Sequence, residues 1–171
     1  FGSQYNQLIA RRIREMHVYC ELHPYNKDSD FIKEFNPTGI IFSGGPSSVN
    51  DPGAPDIDPG ILKLGIPILG ICYGMQLLSE RLGGRLENGG NREYGRATVE
   101  NLAPQSPLFR NISEKTQVWM SHADHVSKLP YGFYPIARTE KFPYAAIGND
   151  TSKIYAVQFH PEVVHTPKGN E

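Results

Sequence analysis

The first periodic signal along the chain is helical: Leu8, Ile9, Ile13 and Met16 recur at three- and four-residue spacing while Arg11, Arg12, Arg14 and Glu15 fill the opposite side. That stripe predicts an amphipathic helix laid on a sheet. Residues 18–22 are rich in β-formers and predict a strand, and residues 24–30 are turn-like. Gly39-Ile40-Ile41-Phe42 is a short all-apolar run of the kind found in buried parallel strands. Residues 50–59, dense in Asp, Pro and Gly, read as loop, residues 61–64 as a short helical piece and residues 66–71 as another buried strand. A helix carrying Met75, Leu77, Leu78 and Leu82 follows and stops at Gly83-Gly84, residues suited to the left-handed end conformation.

Beyond Arg92 the pattern changes to short β-prone runs at 97–101, 116–120, 133–138, 144–147 and 154–159, separated by Gly, Pro, Asn and Asp. No repeat, low-complexity tract or linker interrupts the chain. The expectation is one α/β domain over residues 1–171, a mostly parallel central sheet flanked by helices with a β-rich second half. At 171 residues one core is the default, with about two-thirds of the unfolded surface buried.

Charge narrows the partners. Lys and Arg number 17 against 18 Asp and Glu, so no field of one sign exists to recruit nucleic acid or an anionic membrane. No stretch approaches the roughly 20 apolar residues of a membrane span, and the chain reads as soluble and cytoplasmic. It opens on Phe1 without an initiator Met and reads as a fragment. Cys20 and Cys72 are too few for a disulfide scaffold and lack zinc-ligand spacing. His122 and His125 flank Asp124 in a loop-like run, where solvated or locally bonded histidines are a better reading than a metal site.

The most informative stretch is Gly70-Ile71-Cys72-Tyr73-Gly74, a cysteine between two glycines at the junction of a buried strand and a helix. A side chain at so sharp a turn is forced into strained backbone angles, and the flanking glycines remove the Cβ atoms that would keep strand and helix apart. The turn also sets the thiol at a helix N-terminus, where unpaired N–H groups favour thiolate. Cys72 is therefore the candidate nucleophile, and Cys20, inside an apolar run, the structural one. A thiolate attacking a carboxamide needs a proton shuttle, because ammonia leaves poorly until it is protonated. His160 follows a predicted strand and is joined to a carboxylate in His160-Pro161-Glu162, so Glu162 can orient the imidazole. Ser43-Gly44-Gly45-Pro46 ends another strand on the side where α/β sheets bind ligands, and Gly45 and Tyr73 could donate backbone N–H groups to an oxyanion. A phosphate loop is the rival reading of that glycine pair, but no Lys follows in it and Pro46 removes a donor.

Residues 70–78, with Gln158-Phe159-His160-Pro161-Glu162, closely resemble the class I (triad) glutamine amidotransferases. Phe1-Gly2-Ser3-Gln4-Tyr5, residues 43–49, Arg92-Glu93-Tyr94-Gly95-Arg96-Ala97, residues 118–122 and residues 157–167 extend the likeness over nearly the whole chain, to the glutaminase domains that supply a purine-nucleotide synthetase. The resemblance implies an α/β fold, Cys72 as nucleophile, His160 as shuttle, Glu162 as orienting acid, and Gly45 and Tyr73 as oxyanion donors. It also implies an L-glutamine pocket drawing on Gly44, Gln76, Arg96, Ser121, His122 and Asp124. No cofactor is implied in this domain. ATP and magnesium belong to a synthetase domain outside it, fused or separate. Ala123 stands where the family often has Gly, and His17 where a helix-ending Gly is common. A strand before Phe1 and a helix after Glu171 are further implied. Sister enzymes serving anthranilate, aminodeoxychorismate or CTP synthesis, or a dormant binding module of the same fold, are the competing readings.

Overall fold

The structure is a computed structural model and describes residues 1–88 and 93–171. Among these, seven strands form one sheet in the order β1-β2-β7-β6-β5-β3-β4. The strands are β1 (Ile40–Phe42), β2 (Ile68–Ile71), β3 (Arg85–Asn101), β4 (Lys115–Lys128), β5 (Tyr134–Arg138), β6 (Ala146–Asn149) and β7 (Ile154–Val157). Pairing is parallel across β1, β2 and β7 and antiparallel from β7 onward. The α/β class holds, with the parallel pairing confined to those three strands and the β-rich half carried by the long β3–β4 hairpin.

Helix α1 (Asn6–Glu15) forms where the apolar stripe places it and buries only Ile9 and Ala10. Its end is strained: His17 sits at φ 61°, the left-handed conformation that suits glycine. Residues 18–22, expected as a strand, pair with no neighbour in the sheet, and Val18, Tyr19 and Leu22 are 51, 80 and 45% exposed. A strand needs a partner's N–H and C=O groups, and a groove of about 980 Å³ lined by Ile13, Val18, Leu22 and Ile41 separates this segment from β1. β1 is accordingly an edge strand, parallel as expected but with Ile41 exposed.

Helix α2 (Ser29–Phe35) is an element the hydrophobic pattern misses, because none of its residues is buried. Local chemistry makes it: the Asp28 side chain caps the N-terminus by accepting from Phe31 N at 2.8 Å, and Asn36 closes the other end at φ 51°. A 3-10 turn at Pro59–Lys63 and the helix α3 (Tyr73–Arg81) match expectation, and Gly83 ends α3 at φ 88°.

Packing resolves into two clusters. Ile71, Val118, Met120, Ile136, Val157 and Phe159 belong to one; Phe42, Ile68, Tyr73, Met75, Leu78 and Ile154 belong to the other. β2 supplies both, as its period-two alternation requires. α3 is buried along residues 73–79, so strand and helix at the Cys72 junction are held from all sides.

The His17 strain makes a stability prediction. His17→Gly should raise the melting temperature by about 1–3 °C, the relief of the left-handed penalty exceeding the extra chain entropy of glycine. Thermal unfolding of the two proteins side by side checks it, and a lower melting temperature for His17→Gly would show that the His17 side chain makes a compensating contact.

Candidate active site

Cys72 occupies the turn between β2 and α3 at φ 51°, ψ −104°, outside the regions L-residues favour. The backbone over-determines that conformation: Cys72 N donates to Val157 O at 2.8 Å, and its own carbonyl accepts from Met75 N and Gln76 N. Close approach explains the two glycines. A Cβ on Gly70 would lie 2.7 Å from Leu78 Cδ1 and 2.8 Å from the Gly74 backbone, and one on Gly74 would lie 2.2 Å from Phe42 O. These distances are closer than real Cβ atoms approach, so β1, β2 and α3 meet here only because these positions carry no side chain.

The imidazole arrives from β7. The chain leaves the strand at Val157, and His160 N donates to Trp119 O at 3.0 Å, joining the turn to β4. Thr166 fastens the same turn, its hydroxyl donating to His160 O and accepting from Trp119 N at 3.0 Å. His160 Nδ1–H donates to Glu162 Oε1 at 2.8 Å, and both side chains are buried. Gly44 packs beside both: a Cβ there would be 3.2 Å from His160 Cε1 and 3.6 Å from Cys72 Cβ. Cys72 Sγ is 3.6 Å from Ser121 O. Cys72, His160, Glu162 and Gly44, distant in sequence, are thus brought together.

Burial alone would push the His160 imidazole down, but its hydrogen bonds to Cys72 and Glu162 and their negative charge outweigh that and raise it to about 10. The ring's proton is thus favoured by partners on both sides, Cys72 and Glu162. Tyr73 is buried at the start of α3, its hydroxyl donating to Pro55 O, and burial raises its phenol to about 12. Its backbone N–H lies in the first turn, where helical donors lack intrahelical partners. Gly45 packs against the Phe1 carbonyl, with room there for no Cβ.

The remaining expected residues divide. The segment 121–124, read above as loop, is strand: β4 runs through it, with Val118, Met120, His122, Asp124 and Val126 all on the buried side. The apolar alternation stops at Met120 because the next two buried positions hold polar residues. Gln76 Nε2 donates to Asp124 O at 2.9 Å and to Gln158 Oε1 at 3.3 Å, and His122 Nδ1–H donates to the same Asp124 carbonyl at 3.0 Å. Glu93 Oε2 lies 3.7 Å from His122 Nε2. Asp124 Oδ1, Gln158 Nε2 and Glu162 Oε2 are buried without a partner among the described residues. Ser121 and Arg96 are exposed, Arg96 lying across the hairpin from Trp119; Arg92 falls outside the described residues. Gln158, Thr166 and Trp119 are structural members of the site that the pattern did not single out, since their contribution is a hydrogen bond to a residue far away in sequence. His122 and His125 both pack on Phe142, ring centroids 5.2 and 4.5 Å away.

A strained cysteine at a strand-to-helix turn, in contact with a buried histidine–carboxylate pair, has the geometry of a nucleophile with its proton shuttle. The family model for class-I glutamine amidotransferases matches residues 1–171, and the chain belongs to that family. Among its relatives, the glutamine-hydrolysing GMP synthases of Acetivibrio thermocellus and Heliobacterium modesticaldum are 57% identical over 171 residues and 54% identical over 169. The matches cover 100 and 99% of this chain but 33% of each relative, so the chain spans about a third of the length of the curated relatives it matches. The crystal structure of a candidate GMP synthase component from Thermoplasma acidophilum superposes with a TM-score of 0.86 at 27% identity, covering 99% of this chain and 84% of that one. A glutamine amidotransferase from Thermotoga maritima gives 0.73 at 22% identity over 95 and 74%, a likeness of fold alone.

The His160–Glu162 pair carries a pH signature. An imidazole near 6.5 when unfolded and near 10 when folded adds stability that is full below about pH 6.5 and is lost as pH rises through about 10. Urea unfolding at pH 6 and pH 10.5 should show a larger loss for the native protein than for Glu162→Gln, which removes one of the groups holding the proton. Equal losses in the two proteins would mean that Glu162 does not hold the His160 charge.

Proposed function

We propose that this chain is the glutaminase domain of a GMP synthase, with Cys72, His160 and Glu162 as its triad. The observation that carries the reading is the strained Cys72 turn beside the buried His160–Glu162 pair; the relatives, named as glutamine-hydrolysing GMP synthases, give the substrate class.

In this reading the Cys72 thiolate attacks the side-chain carboxamide carbon of L-glutamine, forming a C–S bond. The oxyanion is received by the backbone N–H groups of Gly45 and Tyr73. His160 gives its proton to the nitrogen, the C–N bond breaks and ammonia leaves. Water, deprotonated by the now neutral His160, attacks the thioester and releases glutamate, restoring thiolate and imidazolium. Glu162 keeps the Nδ1 tautomer and the ring orientation throughout. This reading assigns glutamine binding to Gly44, Gln76, Arg96, Ser121, His122 and Asp124; Ser121 and Arg96 are exposed on the hairpin while His122 and Asp124 are on its buried face, and the unpartnered Asp124 carboxylate oxygen suits the ligand's α-ammonium. Gln76, bonded to Asp124 O and Gln158, orders that wall from within α3.

The ammonia then passes to a synthetase domain that binds ATP and magnesium and converts xanthosine monophosphate to GMP. We place that domain in the same polypeptide, because the relatives are about three times the length matched here.

A glutamine-like chloroketone should label Cys72 much faster than Cys20, and His160→Ala should abolish glutamate production while Glu162→Ala leaves a trace. Peptide mapping and a glutamate assay decide this; adduct on Cys20, or full turnover with His160→Ala, would remove the triad. Dependence on the synthetase is tested separately. Residues 1–171 alone should hydrolyse glutamine slowly, and the full-length protein faster when nucleotide and ATP are bound, a coupling of about 1–3 kcal/mol. A fragment as fast as the loaded full-length protein would exclude that dependence.

A further inference from the structure

Helix α1 contributes no residue to the triad, yet it touches both members of the His160–Glu162 pair. The Tyr5 ring, at the N-cap of α1, meets the His160 imidazole edge-on, with ring centroids 5.6 Å apart and planes at 69°. Arg12 Nε donates to the Glu162 backbone carbonyl at 3.2 Å. Tyr5 and Arg12 are seven residues apart, two helical turns or about 10.5 Å, so the helix presents both on one face. The Arg12 guanidinium is steadied in turn by Glu15 Oε2 at 3.4 Å. At the near end, Tyr5 N donates to Ser3 Oγ at 3.0 Å, and that hydroxyl lies 3.8 Å from where a Gly44 Cβ would be.

We propose that Tyr5 and Arg12 are positioning residues, a two-point clasp on α1 that fixes the ring plane of His160 and the backbone of Glu162. The physical need is specific. The His160–Glu162 turn leaves β7 at Val157 and is tied to β4 by His160 N and Thr166. The His160–Glu162 bond sets the ring against the carboxylate, but none of those backbone bonds holds the pair as a unit or the Glu162 peptide that carries the carboxylate. An edge-to-face aromatic contact restricts the first, and a charged donor on the carbonyl restricts the second. Neither side chain is assigned a contact with the thiol, so both act through the pair.

The inference rests on the triad reading, and its test separates the two. In the full-length protein, glutamine hydrolysis is first compared with Cys72→Ala; loss of that difference would sink the triad reading, leaving the clasp to be judged by spectroscopy. Tyr5→Ala and Arg12→Ala should each lower kcat about tenfold with KM within about twofold, the pattern of misplacement rather than lost binding. Tyr5→Phe should retain full activity, since the ring and not the hydroxyl makes the contact, and Arg12→Lys should recover much of it. With ¹⁵N-histidine labelling, the downfield Nδ1–H resonance of His160 should broaden or shift in both alanine variants and stay in place in Tyr5→Phe. The clasp is overturned if both alanine variants leave that resonance and kcat unchanged. It is equally overturned if the conservative variants fail as badly as the alanines while the resonance stays in place, the mark of general destabilisation.

Discussion

Everything in this site hangs on the backbone conformation of Cys72. A residue at φ 51° and ψ −104° is strained, and it persists only because the chain on either side has no alternative. Upstream, β2 is locked between β1 and β7 in parallel register; downstream, α3 is buried along nearly its whole length. Gly70 and Gly74 let these two elements and the end of β1 close to distances that a single methyl group would forbid. The strain lifts the thiol out of the sheet and sets it at the first turn of a helix, which is the geometry a nucleophile requires.

The rest of the centre is assembled by polar bonds rather than by apolar packing. Thr166 and the Trp119 backbone bolt the histidine turn to β4. Gln76, one turn into α3, donates across to β4 at Asp124 and toward Gln158, just after β7. The nucleophile's helix, the histidine's turn and the pocket strand are therefore joined by buried hydrogen bonds, which tolerate displacement far less than hydrocarbon contacts do. A polar network of this kind fixes relative position, and relative position is what amide chemistry with a thiolate and an imidazolium demands.

Electrostatics at His160 follow from the same enclosure. Burial disfavours the charged ring, and the thiol and the carboxylate on its two sides outweigh burial. The result is an imidazole whose proton is held by two partners, the group that protonates the departing amine in the mechanism proposed above. Helix α1, lightly buried, reaches this pair through the side chains of Tyr5 and Arg12.

The sequence by itself determined the elements with strong local signals. The glycine-flanked cysteine, the α1 stripe, the stop of α3 at Gly83 and the residue pair at 160 and 162 were all legible, because sterics, periodicity and short-range geometry act within a few residues. Helix α2 escaped because it buries nothing and is made by its caps. Residues 18–22 read as a strand because propensity cannot report whether a partner lies alongside. The β4 strand through 121–124 was hidden because its buried positions hold His122 and Asp124, whose polarity breaks the alternation that marks a strand. Only the tertiary structure decided that the Ser121 carbonyl faces the thiol, that Gln76 spends its amide on Asp124 and Gln158, and that Tyr5 and Arg12 reach the histidine pair. Those contacts join residues tens to more than a hundred positions apart, and pairing over such distances is set by how strands order in the sheet, which no local pattern encodes.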